Sequence, residues 1–503
     1  MPRTGDFVVI RLDHVGYSYG EYGNENVLKD IDLEIERGEL VVLAGVSGCG
    51  KTTLTRLLNG LIPDCFHGRL TGYVEVDGRN PQTEKTIGMS QVVGSVFQNP
   101  KSQFFNINSR NELAFPLENR GVPADEILSR MDEIATRLHM EKLVGRNMFH
   151  LSGGEKQKIA FASVAMSGQD VLVLDEPSSN LDIEAVGDLR TILEMWKSEG
   201  RTIVISEHRF FFMKDLVDKL VYLKNGRIEH VYGRNELEEL PSSYFHEHGL
   251  RSFDLPDSLD LGRNPKNEDD FLKIGKLSFT YRNTDAGITI ENQIFSRGHV
   301  VAVIGHNGAG KSTFLRCLSG LERKVDAEIK LDGKIVKQSR MLGHTAMVMQ
   351  DVNHQLFTDS VENELYYELN RRKVDRSLRG GIVDEWLRRT ELLDERMKHP
   401  MAISGGQKQR LAIAVAALAD KDIVLFDEPT SGLDYLHMKE VSDLIGELAE
   451  DGKLVFIVSH DLDLLSEVAD DVVVIDDGHV EDRYPLNQDT WGRLSAWFGN
   501  FPG

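Results

Sequence analysis

GVSGCGKTT at residues 45–53 returns as GHNGAGKST at 305–313, and each copy follows a short apolar run, LVVLA (40–44) and VVAVI (300–304). Both copies fit the spacing Gly-x4-Gly-Lys-Ser/Thr: Gly45, Gly50, Lys51 and Thr52 in the first, and Gly305, Gly310, Lys311 and Ser312 in the second. A strand that runs into a glycine loop and then into a helix turns backbone N–H groups toward an anion and adds the positive end of the helix. The lysine in such a loop meets the β- and γ-phosphates of a nucleotide, and the hydroxyl ligates Mg²⁺. Ser47, Gly48 and Thr53, with Asn307, Gly308 and Thr313, complete the two cradles. The pattern predicts two phosphate-binding sites.

Outside the loops the chain goes on matching itself. Gln98 recurs as Gln350, Ser152 as Ser404, Asp175 as Asp427 and His208 as His460, each 252 positions on. Lys51 and Lys311 are 260 apart, so the first half holds eight extra residues between its loop and Gln98, expected near IPDCFHGRLTGY (62–73). Each half carries two further apolar runs. VLVL (171–174) and IVLF (423–426) end in Asp-Glu-Pro, and TIVIS (202–206) and LVFIVS (454–459) end just before a histidine. Unbroken β-branched runs predict strands buried on both faces, as in the parallel sheet of an α/β fold. Between Gln98 and Ser152, and again between Gln350 and Ser404, the pattern turns helical and charged, which predicts a helical subdomain inserted in each half. The expected organisation is a first domain over 8–234, a linker over 235–268, a second domain over 269–485 and a tail over 486–503. The linker is polar and acidic and carries Pro241, Pro256 and Pro265; it reads equally as an ordered arm on one half or a flexible tether. In the tail, Trp491, Trp497 and Phe498 are expected to pack on one of the two domains rather than meet a partner.

Composition narrows the function. Of 503 residues, 41% are hydrophobic and 27% charged, ordinary for a globular protein. The net charge of -22, from 58 basic and 80 acidic residues, argues against nucleic-acid binding and against a polybasic membrane tether. The three cysteines, Cys49, Cys65 and Cys317, are too widely spaced for a disulfide framework or a metal cluster, and they fit a reduced cytosol. No apolar stretch approaches the roughly 18 residues of a membrane span, and the opening residues lack a signal peptide's apolar region. The expectation is no direct membrane insertion and no export by the usual route.

Asp175-Glu176 and Asp427-Glu428 each close an apolar strand in the same half as a phosphate loop. The aspartates are candidates to hold Mg²⁺ through water, and the glutamates to act as general base toward an attacking water. LSGGEKQ (151–157) and ISGGQKQ (403–409) put a serine at a helix start followed by two glycines, offering an anion a hydroxyl, free N–H groups and a positive dipole end.

On these residues the chain resembles the ATP-binding-cassette (ABC) family across about 8–232 and 271–483. The resemblance implies two P-loop NTPase nucleotide-binding domains, each a RecA-like core with an inserted helical subdomain, using ATP and Mg²⁺. It implies that Ser152, Gly153 and Gly154 cap the γ-phosphate held by the opposite half, and that Ser404, Gly405 and Gly406 do so in return. One site would then join Lys51, Glu176 and His208 to Ser404–Gly406, and the other Lys311, Glu428 and His460 to Ser152–Gly154. It further implies that Tyr19 and Tyr281 stack on adenine, and that Gln98 and Gln350 sense Mg²⁺ and the attacking water. His208 and His460 would contact the γ-phosphate, and Asp182 and Asp434 would lie in the loop that crosses the dimer interface. Some residues depart from the family pattern: Glu155 stands for the usual glutamine, Ile403 for leucine, and Glu207 and Arg209 flank the first histidine where Ser459 and Asp461 flank the second.

Narrower stretches resemble the tandem ATPases of energy-coupling-factor (ECF) importers of vitamins and metal ions. They are NGLIPDCFHGRLTGYVEVDG (59–78), VFQNPKSQFF (96–105), SEHR (206–209) and MQDVNHQLF (349–357). That resemblance implies a transmembrane scaffold docked near the glutamine loops, a membrane substrate-binding protein, and a place at the cytoplasmic face of the cell membrane. The alternatives are the ATPase of another importer, such as a tandem sugar importer, or a soluble tandem-cassette factor acting on ribosomes or nucleic acid.

Overall fold

In the computed structural model the chain divides into two compact units, one reaching essentially to Asp254 and the other beginning at Leu255. The structure describes residues 8–20, 26–99, 103–179, 181–259, 269–282 and 286–499.

The first unit is built on a six-stranded sheet in the order Val93–Val96, Val171–Asp175, Thr202–Ser206, Leu40–Ala44, Lys219–Lys224, Arg227–Gly233. The first five strands run parallel, and the last returns antiparallel. Leu40–Ala44 and Thr202–Ser206 are buried along their whole length, which is why they read as unbroken rather than alternating apolar runs. Their side chains feed two cores. Leu40, Val42 and Ala44 pack with Leu189 and Trp196 on one face, while Val41 and Leu43 pack with Leu54, Leu57 and Ile10 on the other. A separate antiparallel sheet, Leu28–Glu36, Val8–Tyr19, Gly68–Val76, lies on that second face.

The hairpin that closes the main sheet turns on Asn225-Gly226, with φ of 52° and 80°. Positive φ at both central residues is what a two-residue turn of type I′ demands, and Asn-Gly supplies it. Gly226 is also in close contact with other backbone: a Cβ there would stand 2.2 Å from the carbonyl of Val27. Its N–H donates to the Cys49 carbonyl at 3.1 Å, and its carbonyl accepts from the Lys29 N–H at 2.7 Å. One glycine thus ties the phosphate loop to the antiparallel sheet.

The second unit repeats the plan with Thr345–Val348, Ile423–Asp427, Leu454–Val458, Val300–Ile304, Asp471–Asp476 and His479–Pro485 as its main strands. Here the antiparallel strands join the main ones in a single ten-stranded sheet, through pairing of Thr289 with His479. The joining bond, Thr289 N–H to the Gly478 carbonyl at 2.7 Å, matches the one from Lys29 to Gly226. Gly478 N–H likewise donates to the loop carbonyl of Ala309 at 3.0 Å.

Strand pairing refines where the first half's extra residues lie. Ile10 pairs with Val76 and Leu272 with Leu331, which puts five of the eight between Lys51 and Val76. The other three fall between Gly78 and Gln98, in and around the helix Pro81–Met89, rather than near 62–73.

Between Gln98 and Ser152, and between Gln350 and Ser404, each unit inserts two helices: Ser109–Glu118 and Ala124–Arg137 before Gly153–Ser167, and Val361–Arg371 and Arg376–Arg389 before Gly405–Leu418. In the second unit this insert has its own core of Leu365, Leu369, Val383, Leu387 and Leu411. After the first main sheet come the short helices Arg234–Glu239 and Ser242–Glu247, and Phe245, Leu250 and Phe253 bury into the first unit's core. Pro265 lies outside the described residues. The tail forms a helix, Trp491–Gly499, that buries Trp491, Leu494 and Phe498. All three cysteines are free. Among the described residues no helix is long and apolar enough to cross a membrane.

Candidate functional site

In both units the phosphate loop leaves a buried strand and enters a helix at Lys51 or Lys311. The glycines are needed for the backbone path. Gly45 and Gly50 have φ of 154° and 113°, and Gly305 and Gly310 have 150° and 105°. A Cβ on Gly45 would come 2.4 Å from the Leu223 carbonyl, and one on Gly305 would come 2.0 Å from that of Ile475. The lysines lie inward, 5% and 6% exposed. Lys51 Nζ donates to the carbonyl of Gly45 at 2.7 Å, and Lys311 Nζ to that of Gly305 at 2.6 Å.

Thr52 and Ser312 reach across to the strand ends. Thr52 Oγ1 donates to Asp175 Oδ1 at 3.2 Å, and Ser312 Oγ to Asp427 Oδ1 at 3.0 Å. Burial pushes the Asp175 carboxyl up to about 6, with the neighbouring charge of Glu176 adding to the rise. Burial raises Asp427 as well, against the hydrogen bond from Ser312. A hydroxyl beside a carboxylate is a hard oxygen donor set of the kind Mg²⁺ takes while keeping several waters. A nearby dication would also relieve the cost of ionising each buried aspartate.

The glutamates that follow stand in a sparsely used backbone region, Glu176 at φ 46° and Glu428 at φ 53°. Such conformations persist where the surroundings fix them, and they cluster at working sites. Here a backbone bond to the adjacent strand does the fixing, from Glu176 N–H to the Ser206 carbonyl and from Glu428 N–H to that of Val458. His208 Nε2 lies 3.4 Å from Glu176 Oε1, and His460 Nε2 lies 3.5 Å from Glu428 Oε1. Burial opposes ionisation of Glu176, but the hydrogen bond and charge of His208, with the charge of Lys51, outweigh it and hold this carboxyl below its ordinary value. Gln98 Nε2 donates to Glu176 Oε2 at 2.6 Å. Gln350 stands at the equivalent place on its loop, exposed, and no such bond joins it to Glu428 among the described residues.

The structure therefore brings Lys51, Thr52, Gln98, Asp175, Glu176 and His208 together in one unit, and Lys311, Ser312, Asp427, Glu428 and His460 in the other. Tyr19 and Tyr281 stand beside the loop helices, their hydroxyls 3.1 Å from the Oγ1 atoms of Thr53 and Thr313. In the first unit Phe66 meets Tyr19 edge-on at 6.4 Å, with the Arg56 guanidinium 4.2 Å above the Phe66 ring. Phe66 comes from the stretch that holds the extra residues.

Ser152 and Ser404 head their helices as N-caps. Ser152 Oγ accepts from Glu155 N–H at 3.2 Å, and Glu155 Oε2 accepts from Ser152 N–H at 2.7 Å. Gln407 makes the same reciprocal pair with Ser404. Glu155 therefore serves the capping box as well as glutamine does. Nothing lies within 4 Å of where a Cβ would stand on Gly153 or Gly405, so packing within their own units does not require glycine there.

Two features escape the sequence reading. The first is the buried carboxylate beside His208 and beside His460. Glu207 accepts from the Ser178 N–H at 3.1 Å and from the His208 N–H at 2.8 Å. In the second unit Asp461, on the other side of the histidine, accepts from Thr430 Oγ1 at 2.6 Å. The flanking residues that differ between the halves thus both reach the loop after the Asp-Glu pair, Glu207 through the Ser178 backbone and Asp461 through the Thr430 hydroxyl. The second feature is the pair of hairpin glycines, Gly226 and Gly478; the dipeptides Asn225-Gly226 and Asp477-Gly478 were the available signal.

A model of the ABC transporter family matches residues 28–179 and 292–431. A protein of Treponema denticola named as an ABC transporter ATP-binding protein is 40% identical over 480 residues, covering 94% of this chain and 96% of the relative. A Methanosarcina mazei protein with the same designation is 32% identical, covering 94% and 88%. Among solved structures, the RNase-L inhibitor superposes with a TM-score of 0.66 at 22% identity over 97% of this chain and 93% of that one. A complex of an archaeal ribosomal stalk protein with the archaeal ribosome recycling factor gives 0.65 at 21% identity, over 96% and 92%. At that identity the likeness is one of fold.

Proposed function

Because the chain belongs to the ABC transporter family and carries two of its cassettes, it is an ATPase, and we propose that it energises an energy-coupling-factor importer of a vitamin or a metal ion. The observation that carries this reading is a pair of equivalent sets of exposed apolar side chains, begun by Phe105 and Phe357 shortly after Gln98 and Gln350 and continued by Phe149 and Met401 just before Ser152 and Ser404. In the first unit Phe105, Ile107 and Phe149 are 75%, 62% and 76% exposed; in the second Phe357 and Met401 are 66% and 42% exposed. Phe105 stacks on Phe115 at 5.2 Å, and Phe357 meets Tyr367 at 5.1 Å. Grouped exposed rings of this kind mark protein contacts. Phe105 and Phe357 follow Gln98 and Gln350 by seven residues each, and the exposed rings suit the cytoplasmic helices of a transmembrane scaffold, which a membrane substrate-binding protein would accompany.

In this reading Lys51 and Lys311 exchange loop carbonyls for the β- and γ-phosphates of ATP, and Tyr19 and Tyr281 lie against adenine. Mg²⁺, held through Thr52, Asp175 and Gln98 or through Ser312, Asp427 and Gln350, would offset phosphate charge. Glu176, kept ionised by His208, accepts a hydrogen bond from the attacking water and takes its proton as the oxygen bonds to the γ-phosphorus and the bond to ADP breaks, and Glu428 does so in the second unit. Gly153 and Gly405, unexplained by their own packing, leave their helix starts open to a phosphate from the other half. ATP gripped from both halves favours a closed state, and loss of the γ-phosphate removes that differential contact. The motion would pass to the docked scaffold.

The test is purification from detergent-solubilised membranes. A transmembrane scaffold should accompany the chain and be lost on Phe105→Ser with Phe357→Ser, while ATP binding remains. Recovery with ribosomes or nucleic acid instead would overturn the transport reading.

A further inference from the structure

The C-terminal helix reaches the second phosphate loop. Trp491, Leu494 and Phe498 anchor it by burial, and Arg493 stacks over the Tyr484 ring at 4.0 Å and pairs with Asp482. From this fixed base Trp497 meets the ring of His306 at 5.0 Å and 41°. His306 is the second residue of the loop. Its carbonyl accepts from the Ala309 N–H at 3.1 Å and from Lys311 Nζ at 3.0 Å. In the first loop the corresponding residue is Val46, whose carbonyl lies 3.4 Å from Lys51 Nζ. A chain of direct contacts therefore runs from Trp497 through His306 to the lysine that meets phosphate, and the valine of the first loop offers no ring for such a contact.

We propose that Trp497 is a positioning residue for the second nucleotide site: by packing on His306 it fixes the loop backbone beside Lys311 and so sets ATP affinity at that loop and not at the first. The physical basis is preorganisation. A loop already held in its binding path loses less freedom when ligand arrives, and an aromatic contact of this kind is directional enough to hold one. The proposal concerns the chain by itself and is independent of which membrane protein it drives.

The experiment measures the ATP dissociation constant on the full chain, with Lys51→Ala to report the second loop and Lys311→Ala to report the first. Trp497→Ala should weaken binding at the second loop by about three- to tenfold, the range one aromatic contact spans, and leave the first loop unchanged. Trp497→Phe should restore most of the affinity. His306→Val should reproduce the loss, and adding Trp497→Ala to it should weaken binding no further, because contacting residues are not additive. Unchanged affinity at the second loop, equal losses at both loops, or full additivity with His306→Val would each overturn the proposal.

Discussion

Gln98 donates through Nε2 to Oε2 of Glu176 at 2.6 Å, while the other oxygen of that carboxylate faces His208. Each oxygen of the proposed base thus has one partner that orients it and keeps a further acceptor site for water, and an amide in place of the carboxylate would keep the shape while losing the charge. Glu176→Gln is expected to leave ATP binding within about twofold and to slow turnover at the first site by about a hundredfold or more, the usual weight of a general base. Single-turnover hydrolysis in a Glu428→Gln background isolates that site. Turnover unchanged by the substitution would remove Glu176 from the role of base.

Proton and metal compete at Asp175. Its carboxyl, raised from 3.8 to about 6 chiefly by burial, favours the protonated form in the folded chain between about pH 4 and 6. Without metal, ionising it therefore costs stability as pH rises through that window. Mg²⁺ requires the ionised form, so its affinity should fall by about tenfold per pH unit once pH drops below about 6. Titration of Mg²⁺ against ATP-loaded protein at pH 5, 6 and 7 measures this. A flat affinity would mean that Asp175 does not face the metal.

Ser404→Arg places a bulky cation at the start of the helix Gly405–Leu418. If that helix completes the site containing Lys51, photolabelling by an azido-ATP should fall in the first half and persist in the second. Loss confined to the Lys311 half would reverse the pairing.

Glu112 is 3% exposed and accepts from the N–H groups of Phe105 at 3.1 Å and Asn106 at 2.7 Å. Glu364 makes the same clasp on Phe357 and Thr358 at 2.6 and 2.7 Å. Glu112→Ala leaves two backbone donors without this acceptor, a change that should cost on the order of 2 kcal/mol in stability. Urea denaturation followed by circular dichroism measures the cost. The apolar patch that carries Phe105 should also lose its set position, so scaffold recovery should fall more steeply than ATP binding.

Most of the fold was legible because the strands that build it are buried on both faces. LVVLA and TIVIS could be little else, and the helix starts announced themselves through Ser152 and Ser404. The glutamate in LSGGEKQ looked like a departure only until its reciprocal bond to Ser152 was seen. What the sequence hid is contact at a distance. Nothing local shows that Phe66 meets Tyr19, that Phe253 buries against Phe210 at 5.1 Å, or that Glu207 and Asp461 serve equivalent loops from opposite sides of a histidine. The placement of the extra residues missed three of them, because an insertion split between a strand and a following helix has no single signature in composition.

Gly226 and Gly478 bear on how the two ends of a nucleotide are held. Each glycine carries one bond to the loop that would take the phosphates and another to the sheet whose tyrosine would take the base. Neither end of the molecule can drift from the other without rupturing a tight turn that no other residue could comfortably form. A side chain introduced at that pivot should therefore loosen the whole grip, even though it lies outside every motif by which such proteins are recognised.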